Sequence, residues 1–317
     1  MIRVENLTKN YGKSRGVSDI SFTVNKGEVV GFLGPNGAGK TTTMKILTGY
    51  FAQTHGKAYI AGIDVLKDPL GVKRQTGYLP ENTPLYQDMG VIEYLKFIAQ
   101  LRQIHPSKIR EHLAKVIEDC GLKEVLHKDI YELSKGYRQR VGIAQALIHE
   151  PAILILDEPT SGLDPSQIID IRNLIKKLGQ EKTIILSTHI LPEVSATCNR
   201  IIIINNGKIV ASGTPKELSK SQSSGTIIKL TFKGDFHYFS KLLKKKYGYD
   251  IVIEQKKYKS SGWLRLTIQL SQESVNSEEI FSIVAQNKWL LSELKAQELT
   301  LEDIFLNITT QENQEVQ

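Results

Sequence analysis

One glycine-rich turn constrains this chain more than any other feature. Val29–Leu33 is a continuous apolar run typical of a strand buried on both faces, and Thr41–Leu47 has a helical pattern. The turn between them fits G-x-x-x-x-G-K-[ST], a pattern whose backbone N–H groups and following helix start form an anion site. We therefore predict a nucleotide site with Lys40 at the phosphates and Thr41 on Mg²⁺. The candidate nucleotide-binding residues are Gly34, Pro35, Asn36, Gly37, Ala38, Gly39, Lys40, Thr41 and Thr42.

Two acidic residues follow a second apolar run, Ile153–Leu156. If this run is a buried strand, Asp157 and Glu158 lie at the carboxyl edge of the sheet, where open α/β folds bind their ligands. Asp157 would then hold Mg²⁺, and Glu158 would act as a general base toward water. The alternative is a solvated acidic turn before Pro159, which the phosphate motif of the same chain disfavours.

Strands and helices alternate through the first two thirds of the chain. Ile20–Val24, Thr183–Ser187 and Ile201–Ile204 have further strand patterns, whereas residues 91–149 are mostly helical by apolar spacing. This order predicts an α/β fold with a largely parallel sheet covered on both sides. The helical stretch predicts a helical subdomain at about 85–150, inserted into that core.

The last third of the chain follows another pattern. Residues 216–225 are turn-prone and rich in serine, so we place a linker there between domains 1–215 and 226–317. The second domain shows the order β-α-β-β-α-β, which is that of a ferredoxin-like α+β domain, and a tail helix near 301–309 is expected after it.

Of the net charge of +7, +6 lies in the first domain, where 27 Lys and Arg compare with 21 Asp and Glu, and +1 lies in the linker, while residues 226–317 hold 12 of each. The basic run Lys241–Lys246 shares an amphipathic helix pattern with Phe236, Phe239, Leu242 and Leu243. This pattern favours a solvated polar face over a nucleic-acid or lipid site, and no nucleic-acid partner is expected.

Two cysteines cannot form a disulfide framework, and no zinc spacing is present. Neither a signal peptide nor a run of about 18 apolar residues is visible. We therefore expect a reduced, cytoplasmic setting in which any membrane function requires a partner.

Five further segments, taken together with the two sites above, resemble the ATP-binding-cassette (ABC) ATPases over about residues 1–215. They are Tyr11 at the adenine-stacking position, Gly77–Glu81 as the Q-loop, Leu133–Tyr137 as the LSGGQ-like signature, Ser161–Asp164 as the D-loop and His189 as the switch histidine. The fold implied is that of a P-loop NTPase of ABC type, and the implied cofactors are ATP and Mg²⁺.

The resemblance also implies roles and partners. The trans signature residues Ser134, Lys135, Gly136 and Tyr137 would face ATP bound to the other protomer, so that two copies, or this chain and a paired ABC subunit, enclose two ATP molecules. Asp164 belongs to the D-loop, and His189 would contact the γ-phosphate. Glu81 would be a metal ligand together with Thr41 and Asp157.

Two departures from the family pattern narrow the resemblance. Glu81 replaces the usual glutamine, and Lys135 and Tyr137 replace glycine and glutamine in the signature. Such residues are similar to those of ABC-2-type exporter ATPases of the gliding-motility and multidrug types, as is the segment 299–305. A separate membrane permease and a peripheral position at the cytoplasmic face of the cell membrane are implied. The alternatives are a soluble ABC ATPase acting on ribosomes or DNA, an importer ATPase and a nucleotide-binding regulator with little turnover.

Overall fold

The computed structural model describes residues 1–12, 14–221, 226–247, 251–257, 262–270 and 277–298. The chain divides into two compact units, Met1–Thr214 and Pro215–Gln317. Among the residues described, no helix combines the length and apolar character required to cross a lipid bilayer.

The first unit contains ten strands and seven helices within its described residues. The strands are β1 (Ile2–Tyr11), β2 (Ser14–Val24), β3 (Val29–Leu33), β4 (His55–Ile60), β5 (Ile63–Asp64), β6 (Thr76–Leu79), β7 (Ile153–Asp157), β8 (Thr183–Thr188), β9 (Arg200–Asn205) and β10 (Lys208–Gly213). The helices are α1 (Lys40–Leu47), α2 (Pro69–Gln75), α3 (Val91–Leu101), α4 (Pro106–Asp119), α5 (Lys135–Leu147), α6 (Pro165–Gly179) and α7 (Leu191–Thr197).

A six-stranded sheet forms the centre of this unit, in the order β10-β9-β3-β8-β7-β6. All neighbours are parallel except β10, which runs antiparallel to β9. The strands β3 and β7 are buried along their whole length, as continuous apolar runs require. The largely parallel sheet predicted from the sequence is thus confirmed, and it brings the ends of β3, β7 and β8 to one edge.

A second sheet was not predicted from the sequence. It has the order β2-β1-β4-β5, and its strands pair antiparallel. Its apolar side chains join those of the central sheet and α1 in one core, which includes Ile2, Val4 and Leu7 from β1 and Met44 from α1. This sheet carries Tyr11, at the end of β1, to the edge of the first unit where α1 begins.

The helices α3, α4 and α5 lie between β6 and β7, which are neighbours in the central sheet. Two short 3₁₀ turns, Lys123–Val125 and Ile130–Glu132, precede α5. Each helix buries one apolar side, for example Leu95 and Ala99 of α3 and Val141 and Ala144 of α5. The insertion predicted at about 85–150 therefore consists of helices.

The second unit begins with a helix, α8 (Pro215–Ser221), which overlaps the first part of the segment 216–225 predicted as a linker. Five further elements and one last strand follow: β11 (Thr226–Lys233), α9 (Phe236–Tyr247), β12 (Ile251–Lys257), β13 (Leu264–Leu270), α10 (Ser277–Gln286) and β14 (Leu290–Glu298). The four strands form one antiparallel sheet in the order β12-β13-β11-β14.

The order of elements in this unit is the predicted ferredoxin-like one. Phe239 and Leu243 of α9 are buried against the sheet residues Leu230 and Leu266, whereas Lys241 and Lys244 are exposed, as the amphipathic pattern predicts. The predicted tail helix at 301–309 lies outside the described residues.

Candidate nucleotide-binding site

The glycine-rich turn leaves the start of α1 open. Gly39 precedes the helix with φ of 106°, and a Cβ there would lie 2.4 Å from the Gly16 carbonyl oxygen, so only glycine fits. No side chain caps α1, and the N–H groups of its first turn face outward from the helix end. The Lys40 ammonium donates to the Gly34 carbonyl at 2.9 Å and the Pro35 carbonyl at 3.2 Å, which places a positive charge inside the turn.

Asp157 ends β7 and is fully buried. Its Oδ1 accepts hydrogen bonds from the hydroxyls of Thr41, at 3.3 Å, and Ser187, while its buried Oδ2 has no hydrogen-bond partner in the protein. Burial, and to a smaller extent the charges of Glu81 and Glu158, raise the pKa of this carboxyl above its ordinary value. A hydroxyl beside a carboxylate with a free oxygen is an oxygen donor set that suits Mg²⁺.

Glu158 is held in a strained backbone conformation. Its φ is 48°, in the left-handed region that non-glycine residues rarely adopt, and its N–H donates to the Ser187 carbonyl at 3.1 Å. The carboxylate lies between the side chains of Lys40 and His189. Oε1 is 3.3 Å from the Lys40 ammonium, and Oε2 is 3.0 Å from Nδ1 of His189.

These side chains meet in one cleft of about 490 Å³. Ten of the sequence-predicted residues line it: Tyr11, Asn36, Gly37, Gly39, Lys40, Thr41, Thr42, Glu81, Glu158 and His189. Gly34, Pro35 and Ala38 are part of the same turn but do not line the cleft, and Asp157 reaches it through Thr41. Sequence reasoning missed two lining residues. Ser161 was quoted only as part of the D-loop, and Gly16 lies in no motif.

Tyr11 forms one wall of the cleft and remains 42% exposed. Its ring meets Phe51 edge to face at 6.0 Å, and the Lys9 ammonium lies 5.4 Å from the ring centroid. Gly16 packs against it so closely that a Cβ would lie 2.8 Å from the ring. Tyr11 thus presents an accessible aromatic surface on a packed support, which suits a planar base.

The predicted signature residues lie elsewhere in the first unit. Ser134 caps α5 by accepting the Tyr137 N–H at 3.3 Å, as a serine directly before a helix can do. Ser134, Gly136 and Tyr137 line a separate cavity of about 510 Å³, in which the Tyr137 hydroxyl donates to Glu124. The chain therefore does not bring its signature and its nucleotide cleft into one site.

Two side chains join the signature helix to the segment after Glu158. Gln139 of α5 donates to the Pro159 carbonyl at 2.8 Å. The Lys135 ammonium fills the space beside Gly162, where a Cβ would lie only 2.1 Å from it. Asp164, from the predicted D-loop, caps α6 by accepting the Gln167 N–H, and this bond lowers the pKa of its carboxyl. The contacts of Gln139 and Lys135 join residues at least 20 positions apart and had no signal in the sequence.

A P-loop, a buried acid pair and a separate helix-capping signature on a mixed α/β fold define a class of ATP-hydrolysing proteins, and comparison with known proteins supports this class. The family described as ABC transporter matches residues 17–161, and one described as an AAA domain matches residues 128–196. The ATP-binding protein YhcH of Bacillus subtilis (strain 168) is 33% identical, over 100% of this chain and 98% of its own.

Two further comparisons agree with it. The linearmycin resistance ATP-binding protein LnrL of Bacillus subtilis (strain 168) is 34% identical, over 98% of both chains. The dimeric structure of MJ0796, a bacterial ABC transporter cassette, is 25% identical with a TM-score of 0.62, over 68% of this chain and 98% of that one. The chain belongs to the ABC transporter ATP-binding proteins. It is an ATPase that uses ATP and Mg²⁺, and the nucleotide-binding subunit of a transporter.

Proposed function

We propose that this chain powers an ABC-2-type exporter. Two copies close head to tail around two ATP molecules and act on a separate membrane permease from the cytoplasmic face of the membrane. The exporter assignment rests on the ABC-2-like residues Glu81, Lys135 and Tyr137 and on similarity to a linearmycin resistance protein over 98% of both chains. The pairing rests on one observation, that the signature and the nucleotide cleft line different cavities of the same chain.

A second copy of the chain would bring a signature and a nucleotide cleft together. The exposed start of α5, with its helix-end N–H groups and the Lys135 ammonium, offers an anion site that its own cleft does not use. Placed over the cleft of another copy, it would contact the outer phosphate of the nucleotide there. The similarity to a dimeric cassette supports this arrangement.

Within each cleft, different residues bind the phosphates, the base and the metal ion. Lys40 and the N–H groups at the start of α1 bind the phosphates, and Tyr11 stacks on the base. Thr41, Asp157 and Glu81 are the residues that would hold Mg²⁺, which when bound neutralises phosphate charge. Phosphates compete with Glu158 for the Lys40 ammonium, so that Oε1 becomes free to accept a proton from water.

His189 completes the arrangement. Its Nδ1 lies 3.0 Å from Glu158, so its other ring nitrogen is available to the γ-phosphate. Water oriented between the carboxylate and this histidine attacks the phosphorus in line with the leaving ADP. Hydrolysis then reopens the dimer, because the phosphate that joins the two copies is lost.

The departures from the family pattern change particular contacts. Glu81 can ligate a cation but cannot donate as an amide does. Tyr137 uses its hydroxyl on Glu124 of its own chain. Lys135 adds a positive charge at the surface that meets the partner's phosphate. We propose that these residues retain the sandwich arrangement and alter the affinity of the two copies for each other.

The central test uses Glu158→Gln in the full chain. This variant should bind ATP and Mg²⁺ but accumulate as a closed dimer in size-exclusion chromatography, because phosphate is not released. Wild-type turnover in this variant would refute the base assignment, and a monomer with bound ATP would refute the sandwich. Glu150→Gln, a change to an exposed acid paired with Lys115, serves as the matched control.

The site of action is tested by fractionation. A transporter subunit should sediment with membranes that contain its permease and be released when the permease is deleted. Sedimentation with ribosomes would instead favour a soluble ABC ATPase. Accumulation of cargo inside inverted vesicles on addition of ATP would support export, and its release would support import.

A further inference from the structure

Glu193 of α7 is a buried acid that none of the motifs above includes. It is 3% exposed, and each of its oxygens accepts one hydroxyl. Thr160 donates to Oε1 at 2.7 Å, and Thr188 donates to Oε2 at 2.9 Å. Both threonines are buried as well. The described residues hold no ion pair to this carboxylate, so the two hydroxyl bonds are its principal stabilisation.

The two threonines stand beside the two candidate catalytic residues. Thr160 follows Glu158 by two positions, in a turn closed by the Ser161 N–H on the Glu158 carbonyl at 3.1 Å. Thr188 directly precedes His189, and its hydroxyl also accepts the Ile190 N–H at 3.1 Å, which fixes the backbone on both sides of the histidine. Glu193 therefore connects the segment of Glu158 to the segment of His189.

The helix that carries Glu193 is fixed to the central sheet. The next residue, Val194, packs on β3 at Gly31, where an added Cβ would lie 2.5 Å from a Val194 methyl. The carboxylate thus projects from a rigid support. None of the three residues Thr160, Thr188 and Glu193 lines the cleft, so any effect they have on nucleotide chemistry passes through their neighbours.

We propose that Glu193 is a positioning residue that holds Glu158 and His189 in register, 3.0 Å apart, through its bonds to Thr160 and Thr188. The inference rests on the roles proposed above for Glu158 and His189. A carboxylate is suited to this task because it offers two acceptor oxygens and requires no donor of its own. Loss of either hydroxyl leaves one oxygen unpaired and one segment untethered.

The test removes each hydroxyl without changing side-chain shape. In the full chain, Thr160→Val and Thr188→Val should each lower kcat about tenfold while the KM for ATP stays within about twofold. Thr76→Val is the matched control. Thr76 is buried and donates to the Val72 carbonyl at 2.9 Å, so this change removes an equivalent bond outside the site and should leave kcat within about twofold.

Two further variants separate positioning from general destabilisation. Because both bonds serve one function, the double variant should lose no more kcat than the single variant with the larger loss. Independent effects would instead multiply. Glu193→Gln keeps one acceptor oxygen and should match a single Thr→Val change in kcat. Thermal unfolding checks that each protein is folded at the assay temperature. If Thr188→Val does not fold, Thr160→Val and Glu193→Gln decide the question.

The outcomes separate this inference from the proposed function. Unchanged kcat in Thr160→Val and Thr188→Val, multiplicative losses in the double variant, or a rise in KM with unchanged kcat would each overturn the positioning role. If Glu158→Gln hydrolyses ATP at the wild-type rate, the proposed function fails and this inference fails with it. Loss of turnover in Glu158→Gln beside normal turnover in the threonine variants would overturn the inference alone.

Discussion

The starts of α1 and α5, both in the first unit, differ in how they can bind an anion. At α1 the turn ends in Gly39, no side chain caps the helix, and Lys40 lies inside the turn. At α5 the Ser134 side chain already accepts the Tyr137 N–H, and the adjacent Lys135 packs beside Gly162. The first start therefore combines an open helix end with a cation in one turn, whereas at the second a side chain already occupies one of the helix-end N–H groups. The difference explains why a helix start alone does not define a nucleotide site.

The two starts also differ in their surroundings. The α1 start adjoins the buried acids Asp157 and Glu158, so charge there is organised within a low-dielectric environment. The α5 start adjoins a cavity lined by exposed charged side chains such as Lys123 and Glu124, where water screens their interactions. We therefore expect substitutions at the start of α1 to have a strong effect on nucleotide binding. Substitutions at the start of α5 should have a weaker effect, on dimerisation.

The largest effect is expected for Lys40→Ala. It removes the cation of the phosphate turn and leaves Glu158 without this partner, so the buried carboxylate also repels phosphate. Affinity for ATP should fall at least about a hundredfold, or about 2.8 kcal/mol, measured by calorimetry. Lys45→Ala is the control, because Lys45 lies on the same helix over the ring of Phe51, and not at the cleft. Unchanged affinity in Lys40→Ala would contradict the assignment of the turn.

A smaller and separable effect is expected for Ser134→Ala. Loss of the cap weakens the start of α5 by about 1 kcal/mol, which should reduce ATP-dependent dimerisation about fivefold while the ATP affinity of the monomer is unchanged. The measurement is sedimentation velocity in the Glu158→Gln background. Ser107→Ala, in the first turn of α4, is the control. A loss of monomer affinity equal to the loss of dimerisation would contradict the separation of the two helix starts.

The contact between the signature and the D-loop can be tested at Gly162. This residue has φ of 67°, and an added Cβ would meet the Lys135 ammonium, so Gly162→Ala should cost about 1–2 kcal/mol and lower Tm by a few degrees. Adding Lys135→Ala should relieve the contact but not the backbone strain, and so recover only part of the loss. Full recovery in the double variant would mean that strain contributes nothing.

The two helix starts also show how far the sequence could predict this protein. The turn at α1 is a contiguous pattern between a buried strand and a helix, and β3 has the predicted bounds, Val29–Leu33. Ser134 was predictable as a cap for the same reason, since capping depends on residues three positions apart. Asp157 and Glu158 follow an apolar run whose strand position is a local property.

Features that arise from irregular backbone or distant contacts were not predictable. The strand β1 pairs with β2 through several register shifts, and Asn6 within it has φ of 48°, so its apolar residues lack a regular period of two. Gly16 reaches the cleft only because β2 lies beside Tyr11. The bond between Thr160 and Glu193 joins residues 33 positions apart, and no local pattern indicates such a pair.

The smallest expected effect is on the pH dependence of stability. It concerns one carboxylate from each region, Asp157 beside α1 and Asp164 beside the signature. Burial raises the pKa of Asp157, so the folded chain binds its proton more tightly than the unfolded chain does, and the ionised form costs stability. This cost is absent below the ordinary value of about 3.8 and appears as pH rises through the raised pKa. Hydrogen bonds from Gln167 and Ser166 lower the pKa of Asp164, so its contribution is present above that value and is lost as pH falls through the lowered pKa.

Asp157→Asn should therefore raise Tm at pH 7 in the absence of Mg²⁺, because it removes a buried charge and keeps an acceptor for Ser187. Asp164→Asn should lower Tm at the same pH, because it weakens the cap of α6. Both differences should shrink as pH falls below about 4, where the wild-type Asp157 becomes neutral in both states and Asp164 begins to lose its charge. Thermal unfolding between pH 3 and 7 in EDTA measures both. Tm shifts of the same sign at pH 7 would show that burial and capping do not set these two carboxyls apart.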